Sequence, residues 1–116
     1  PKDMARATHG EYRSQEARRT LEAALATHRP LAANNPQAFS PVVAKTTVAL
    51  AVLDYLENKP TQARQLLQKA LAIFQDLATK NPAQFSQEIE LITVLLAKLP
   101  PVPSQSLNSP NQAQNR

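Results

Sequence analysis

The sequence predicts an all-α fold of stacked antiparallel helical hairpins, and three observations carry that expectation. A block of residues returns 46 positions later: Leu31-Ala-Ala-Asn-Asn35-Pro36-Gln-Ala-Phe39-Ser40 reappears as Leu77-Ala-Thr-Lys-Asn81-Pro82-Ala-Gln-Phe85-Ser86. The same shift lays Ala17-Arg18, Leu21 and Ala24-Leu25 onto Ala63-Arg64, Leu67 and Ala70-Leu71. Apolar residues recur at three- and four-residue steps, and the chain holds one glycine against ten prolines. A period of this length marks supersecondary units that cannot bury their apolar faces alone and so stack on their neighbours.

Residues 1–10 fall where the end of an earlier unit belongs, with Met4, Ala5 and Ala7 matching Leu50, Ala51 and Leu53. The chain starts inside a unit, so it reads as a fragment of a longer array, and a targeting signal is not excluded. Helix 15–34 carries Ala17, Leu21, Ala24, Leu25 and Leu31 on one stripe. Pro30 is expected to bend or interrupt its last turns, because a proline ring clashes with the carbonyl four residues back. Asn35-Pro36 and Ser40-Pro41 are stop-and-start signals, since asparagine suits a helix boundary and proline the first helical position.

Helix 41–57 differs in kind: eleven of the fifteen residues from Val42 to Leu56 are apolar, as expected of a helix covered on several sides. A buried valine-rich strand is the alternative; length and repeat context favour helix. Helix 61–80 follows, with Ala63, Leu66, Leu67, Ala70, Leu71, Phe74, Leu77 and Ala78 in a single stripe and Pro60 at its start. Asn81-Pro82 repeats the punctuation, and helix 86–99 repeats 41–57. Phe39 and Phe85 are expected to plug the corners between successive helices. Residues 100–116 are mostly Ser, Asn, Gln and Pro and read as a flexible tail that cannot offset its ordering entropy. Pro100-x-x-Pro103 within it is open to a polyproline-ligand reading, with a helix stop favoured.

The chemistry-bearing residues are sparse. Without cysteine there is no disulfide, thiolate metal site or cysteine nucleophile. His9 and His28 fall on different helices, Glu88 and Glu90 point apart at a spacing of two, and a lone Gly10 forbids a phosphate-cradling loop. The expectation is a non-enzymatic protein without cofactor or metal. No run of about 18 apolar residues is present, so no membrane span is expected. Net charge is +4, and the arginines at 6, 13, 18, 19 and 29 are interleaved with Asp3, Glu11, Glu16 and Glu22. That mixture argues for solvated faces with local ion pairs rather than a nucleic-acid interface. The compartment stays open, with the cytoplasm favoured.

The units resemble tetratricopeptide repeats. Leu50-Ala51 in the inner helix and Ala63, Leu67 and Ala70-Leu71 in the outer helix carry the likeness, and the closing Leu-Ala-x-x-Asn-Pro-x-x-Phe is similar to a long-period variety found in bacterial multi-repeat proteins. Thr47 and Ala51 stand where the common 34-residue class has an aromatic residue and a glycine. The resemblance covers residues 1–99 and implies an α-α superhelix, a solenoid fragment with a concave groove lined by inner helices. Carried over by position, that groove is lined by Lys45, Val48, Val52 and Tyr55, then Leu91, Val94 and Lys98, with Lys2, Arg6 and His9 from the first ten residues.

The implied function is a scaffold module that binds a partner peptide or helix, an apolar lining with a basic fringe suiting an amphipathic or acidic segment. The alternatives are a regulatory or sensor segment of a larger signalling protein, and nucleic-acid binding through the basic first helix. The last helix lacks a following helix to cover it, so Leu95, Leu96 and Leu99 are expected to form a bare strip, with a homodimer as one candidate cover.

Overall fold

The computed structural model describes residues 2–100, with side chains from Arg13 onward; of the tail expected at 100–116, all but Pro100 lies outside the described residues. The described chain is all-helical, in the order α1 Lys2–Asn34, α2 Pro36–Leu56, α3 Pro60–Ala78 and α4 Ser86–Lys98. Each helix packs on the one before it: α2 lies against α1 and α3, and α4 closes onto α3.

α1 runs unbroken for 33 residues, so the expected ten-residue stump and the helix at 15–34 are one element. Gly10 costs about 1 kcal/mol against alanine, too little to stop a helix with good formers on both sides. Pro30 does not interrupt the helix either, which continues to Asn34. The turn to α2 is a single residue. Asn35 caps α2 with its side-chain oxygen accepting from the Ala38 amide at 3.4 Å, and Pro36 takes the first helical position. α2 therefore starts at Pro36, five residues before the expected start, and passes through Pro41.

Asn58 ends α2. Its φ of 65° reverses the chain in the left-handed region, where asparagine is tolerated, and the Lys59 amide returns to the Asp54 carbonyl at 2.8 Å. α3 then begins at Pro60 as the proline signal requires. The α3–α4 corner is longer: Pro82 lies in a turn, and α4 starts only after Phe85.

Two aromatic pairs sit at helix corners. His28 stacks on Phe39 with centroids 6.3 Å apart, and Phe74 meets Phe85 at 5.5 Å. Both members of the second pair stand 46 positions beyond those of the first. Asn81 links the corners by donating to the Gln37 side chain at 3.4 Å. The pairs are not equally dry: Phe85 is buried and Phe39 half-buried.

Coverage explains that inequality along the whole repeat. α3 is flanked by α2 and α4, and its Ala63, Leu67, Ala70 and Leu77 are buried. α1 packs mainly on α2, with Leu66 and Ile73 of α3 against the same cluster, and of its expected stripe only Leu25 is buried. Leu21 and Ala24 are half-buried, while Ala17 and Leu31 are exposed.

α2 buries Thr46, Thr47 and Asp54 among its apolar residues. The two hydroxyls donate to the carbonyls of Val42 and Val43, both at 2.8 Å. The Asp54 carboxylate accepts from Arg18 of α1 at 2.8 Å, and the same guanidinium reaches Glu57 at 3.0 Å. Burial works against the charge of Arg18, but the hydrogen bond and attraction of Asp54, joined by Glu57, outweigh it and raise its pKa above the ordinary arginine value. By length and composition α2 is long and apolar enough to cross a membrane, with mean hydropathy 1.3 over its best window. An average over 18 residues tolerates Lys45 and Asp54, whereas an uninterrupted apolar run, which the helix lacks, does not. A helix packed on two sides in a bundle meets the same composition.

Two stability tests follow. Arg18→Ala strands the buried Asp54 carboxylate and is expected to cost about 2 kcal/mol in urea unfolding, below the range for fully buried pairs because Arg18 is a quarter exposed. Phe85→Ala should cost about 3–5 kcal/mol, and Phe39→Ala clearly less, by the same measurement.

Candidate functional site: an apolar groove between α2 and α4

α2 and α4 both run antiparallel to α3 and so parallel to each other, with α3 between and beneath them. Their separation leaves a groove with two compartments. One, of about 300 Å³, is lined by Val52, Tyr55 and Leu56 of α2 and by Leu95, Lys98 and Leu99 at the α4 end, over a floor of Ala51, Ala63 and Leu67. The other, of about 270 Å³, lies between Lys45 and Val48 of α2 and Glu88, Leu91 and Ile92 of α4, over Phe74. A third hollow, of about 370 Å³, lies beyond Tyr55 and Leu56 and is lined by Asn58, Pro60 and Pro100.

The groove is built in register. Lys45 faces the compartment that Leu91 enters, and Val52 the one that Lys98 enters; each pair is 46 residues apart. Seven residues separate Lys45 from Val52, so the compartments lie about 10 Å apart along the helices. The floor is deep because its side chains are small. Ala51 and Ala63 are buried where α2 meets α3, and larger residues there would fill the cleft.

Of the residues carried over from the resemblance, Lys45, Val48, Val52, Tyr55, Leu91 and Lys98 all line the groove. Val52, Tyr55 and Leu91 are exposed, as a docking surface requires, and Lys45 and Lys98 set positive charge near the two ends. Val94 is 44 % exposed but lines neither compartment; it lies on the outer face of α4. The side chains of Lys2, Arg6 and His9 lie outside the described residues.

The expected bare strip is corrected. Leu99 is buried, and Leu95 and Leu96 are partly buried against the core made with α3. Leu99 leaves the helix in an extended conformation (φ −73°, ψ 145°), which turns it inward. Arg64 of α3 holds that turn by donating to the carbonyls of Leu99 at 3.3 Å and Pro100 at 3.0 Å. The large apolar residues that α4 exposes are Leu91 and Val94.

Sequence reasoning missed Leu56, the most exposed large apolar residue at 70 %. It missed Glu88 as a groove wall; one of its carboxylate oxygens is buried without a hydrogen-bond partner. It also left His28 without a role, although its place 46 residues before Phe74 marks it as a corner residue. His28 is half-buried, with Nδ1 2.9 Å from the Ala24 carbonyl. Among the described residues no group of three His, Cys, Asp or Glu could hold a metal ion.

No protein-family model matches this chain, and the comparisons with curated proteins and with solved structures give no match either.

The alanine floor is open to a direct test. Ala63→Leu should destabilise the fold by about 1–3 kcal/mol through overpacking, whereas Leu56→Ala should leave thermal unfolding almost unchanged, both followed by circular dichroism.

Proposed function

We propose that this chain is a non-enzymatic protein–protein interaction module of tetratricopeptide-like architecture, a short α-α superhelix whose groove between α2 and α4 receives an amphipathic segment of a partner protein. The observation that carries the reading is the groove itself: equivalent positions of the two copies line it. The aromatic corners at one 46-residue offset support the repeat interpretation.

The lining fits a helix or short peptide with apolar anchors and acidic flanks. Val52, Tyr55, Leu56 and Leu91 offer exposed apolar surface, while Lys45 and Lys98 attract carboxylates on either side of it. Charge at such a rim governs partner choice and encounter rate more than final affinity, so the apolar compartments supply the holding contacts.

A second reading, a regulatory or sensor segment packed on a neighbouring domain, draws support from α1, whose Ala17 and Leu31 are exposed where Ala63 and Leu77 are buried. Nucleic-acid binding through the first helix is weakened by Arg18, which is already committed to Asp54 and Glu57.

Titration with a fluorescent amphipathic peptide of leucine and glutamate tests the groove. Wild type should bind it, Val52→Glu and Tyr55→Glu should each weaken binding at least about tenfold, or roughly 1.4 kcal/mol, and the unfolding transition should not move. Binding that survives both substitutions, or that wild type lacks, defeats the proposal.

A further inference from the structure

We infer that the outer face of α4 is a self-association surface, on which a second copy of this chain docks its own α4 antiparallel about a two-fold axis beside Val94. The surface shares Leu91 and Lys98 with the groove but is centred on Val94 and Glu90, which line neither compartment. At about 100° per residue, Gln87, Glu90, Leu91, Val94, Ala97 and Lys98 fall on one face centred on Val94, and all six are exposed. The opposite face, with Phe85, Ile92 and Leu99, is buried against the core. Leu91 and Val94 are 53 % and 44 % exposed, an apolar centre with an acid on its N-terminal side and a base on its C-terminal side.

That order is self-complementary. An antiparallel copy brings Glu90, four residues before Val94, level with Lys98 of the second copy, four residues after it. The same operation sets Leu91 level with Ala97, a large side chain against a small one. A two-fold contact uses one patch on both chains, so each favourable match occurs twice. Antiparallel packing also sets the positive end of one helix dipole beside the negative end of the other. A parallel pairing would put glutamate against glutamate and lysine against lysine.

With one 13-residue helix from each copy as its centre, the contact is small and belongs with weak, concentration-dependent dimers. Covering it removes the exposed Leu91 and Val94 side chains from solvent.

The chain contains no cysteine, so a single introduced thiol reports cleanly on the axis. Full-length Val94→Cys should oxidise to a disulfide dimer, whereas Thr27→Cys, on exposed α1 surface, should not. Sedimentation equilibrium at millimolar concentration should show a wild-type dimer and a folded, monomeric Val94→Glu. Glu90→Lys should weaken the dimer at least about tenfold by setting lysine against lysine, and Glu90→Lys with Lys98→Glu should restore it, with Kd as the readout. A monomer throughout with no preferential crosslink at residue 94 overturns the inference. So does a dimer indifferent to Val94→Glu, or a charge swap that fails to rescue.

Discussion

The close approach of α2 and α3 at alanine positions is the constraint on which the rest of the structure depends. Ala44, Ala51, Ala63 and Ala70 are all but inaccessible, and no side chain larger than a methyl group fits where these backbones meet. Alanine also loses no side-chain entropy on burial and is the best helix former, so the seam costs little to assemble. What the seam cannot supply is apolar volume. Phe74, Leu67, Leu77, Phe85 and Ile92 supply it from above and below, and they join the seam to α4 in one continuous core. The groove is a consequence: with α2 and α4 both bedded on α3, the space between them has an alanine floor and aliphatic walls.

Residues 46 positions apart in the sequence meet unequal coverage, and this separates what the sequence shows from what packing adds. Phe74 and Phe85 are buried because α4 closes over them, whereas His28 and Phe39 adopt the same juxtaposition at the edge of the bundle. A histidine is acceptable there because one side remains near water and its Nδ1 lies beside a carbonyl. Likewise Leu31 and Leu77 share one place in the repeat yet differ from 41 % to 2 % exposure. Periodicity marks which face a residue takes. Burial depends on what lies against that face.

That distinction explains how much was legible. Helix identity, the proline at the start of α3, the alanines of the seam and most of the groove lining follow from spacing and side-chain size. Boundaries were harder. The start of α2 at Pro36 depends on the Asn35 side chain capping Ala38, and the same Asn-Pro pair at Asn81-Pro82 yields a turn instead. Leu95, Leu96 and Leu99 are expected in solvent because no helix follows to cover them. That expectation takes the helix as straight to its end, but the chain leaves it at Leu99 and turns inward. The 46-residue offset assigns Val94 to the groove, although it lies opposite the buried side of α4.

Arg18 and Arg64 stand 46 residues apart and hold two different helix ends. Each reaches from its own helix to the C-terminal end of the helix that follows it. At α2 the position holds Asp54, and the guanidinium meets a buried carboxylate with Glu57 alongside. One period later it holds Pro100, and the guanidinium takes the carbonyls of Leu99 and Pro100 instead, leaving its Nε buried without a partner. Carbonyls at a helix C-terminus carry partial negative charge and lack intrahelical donors, so they are acceptable substitutes for a carboxylate. They are weaker ones, since an ion pair gains full charge on both sides. The end of α2 is accordingly tied by charge, and the end of α4 by two carbonyl contacts together with the burial of Leu99 in the core. Leu99 and Lys98 are thereby held as one wall of the compartment over Ala63 and Leu67.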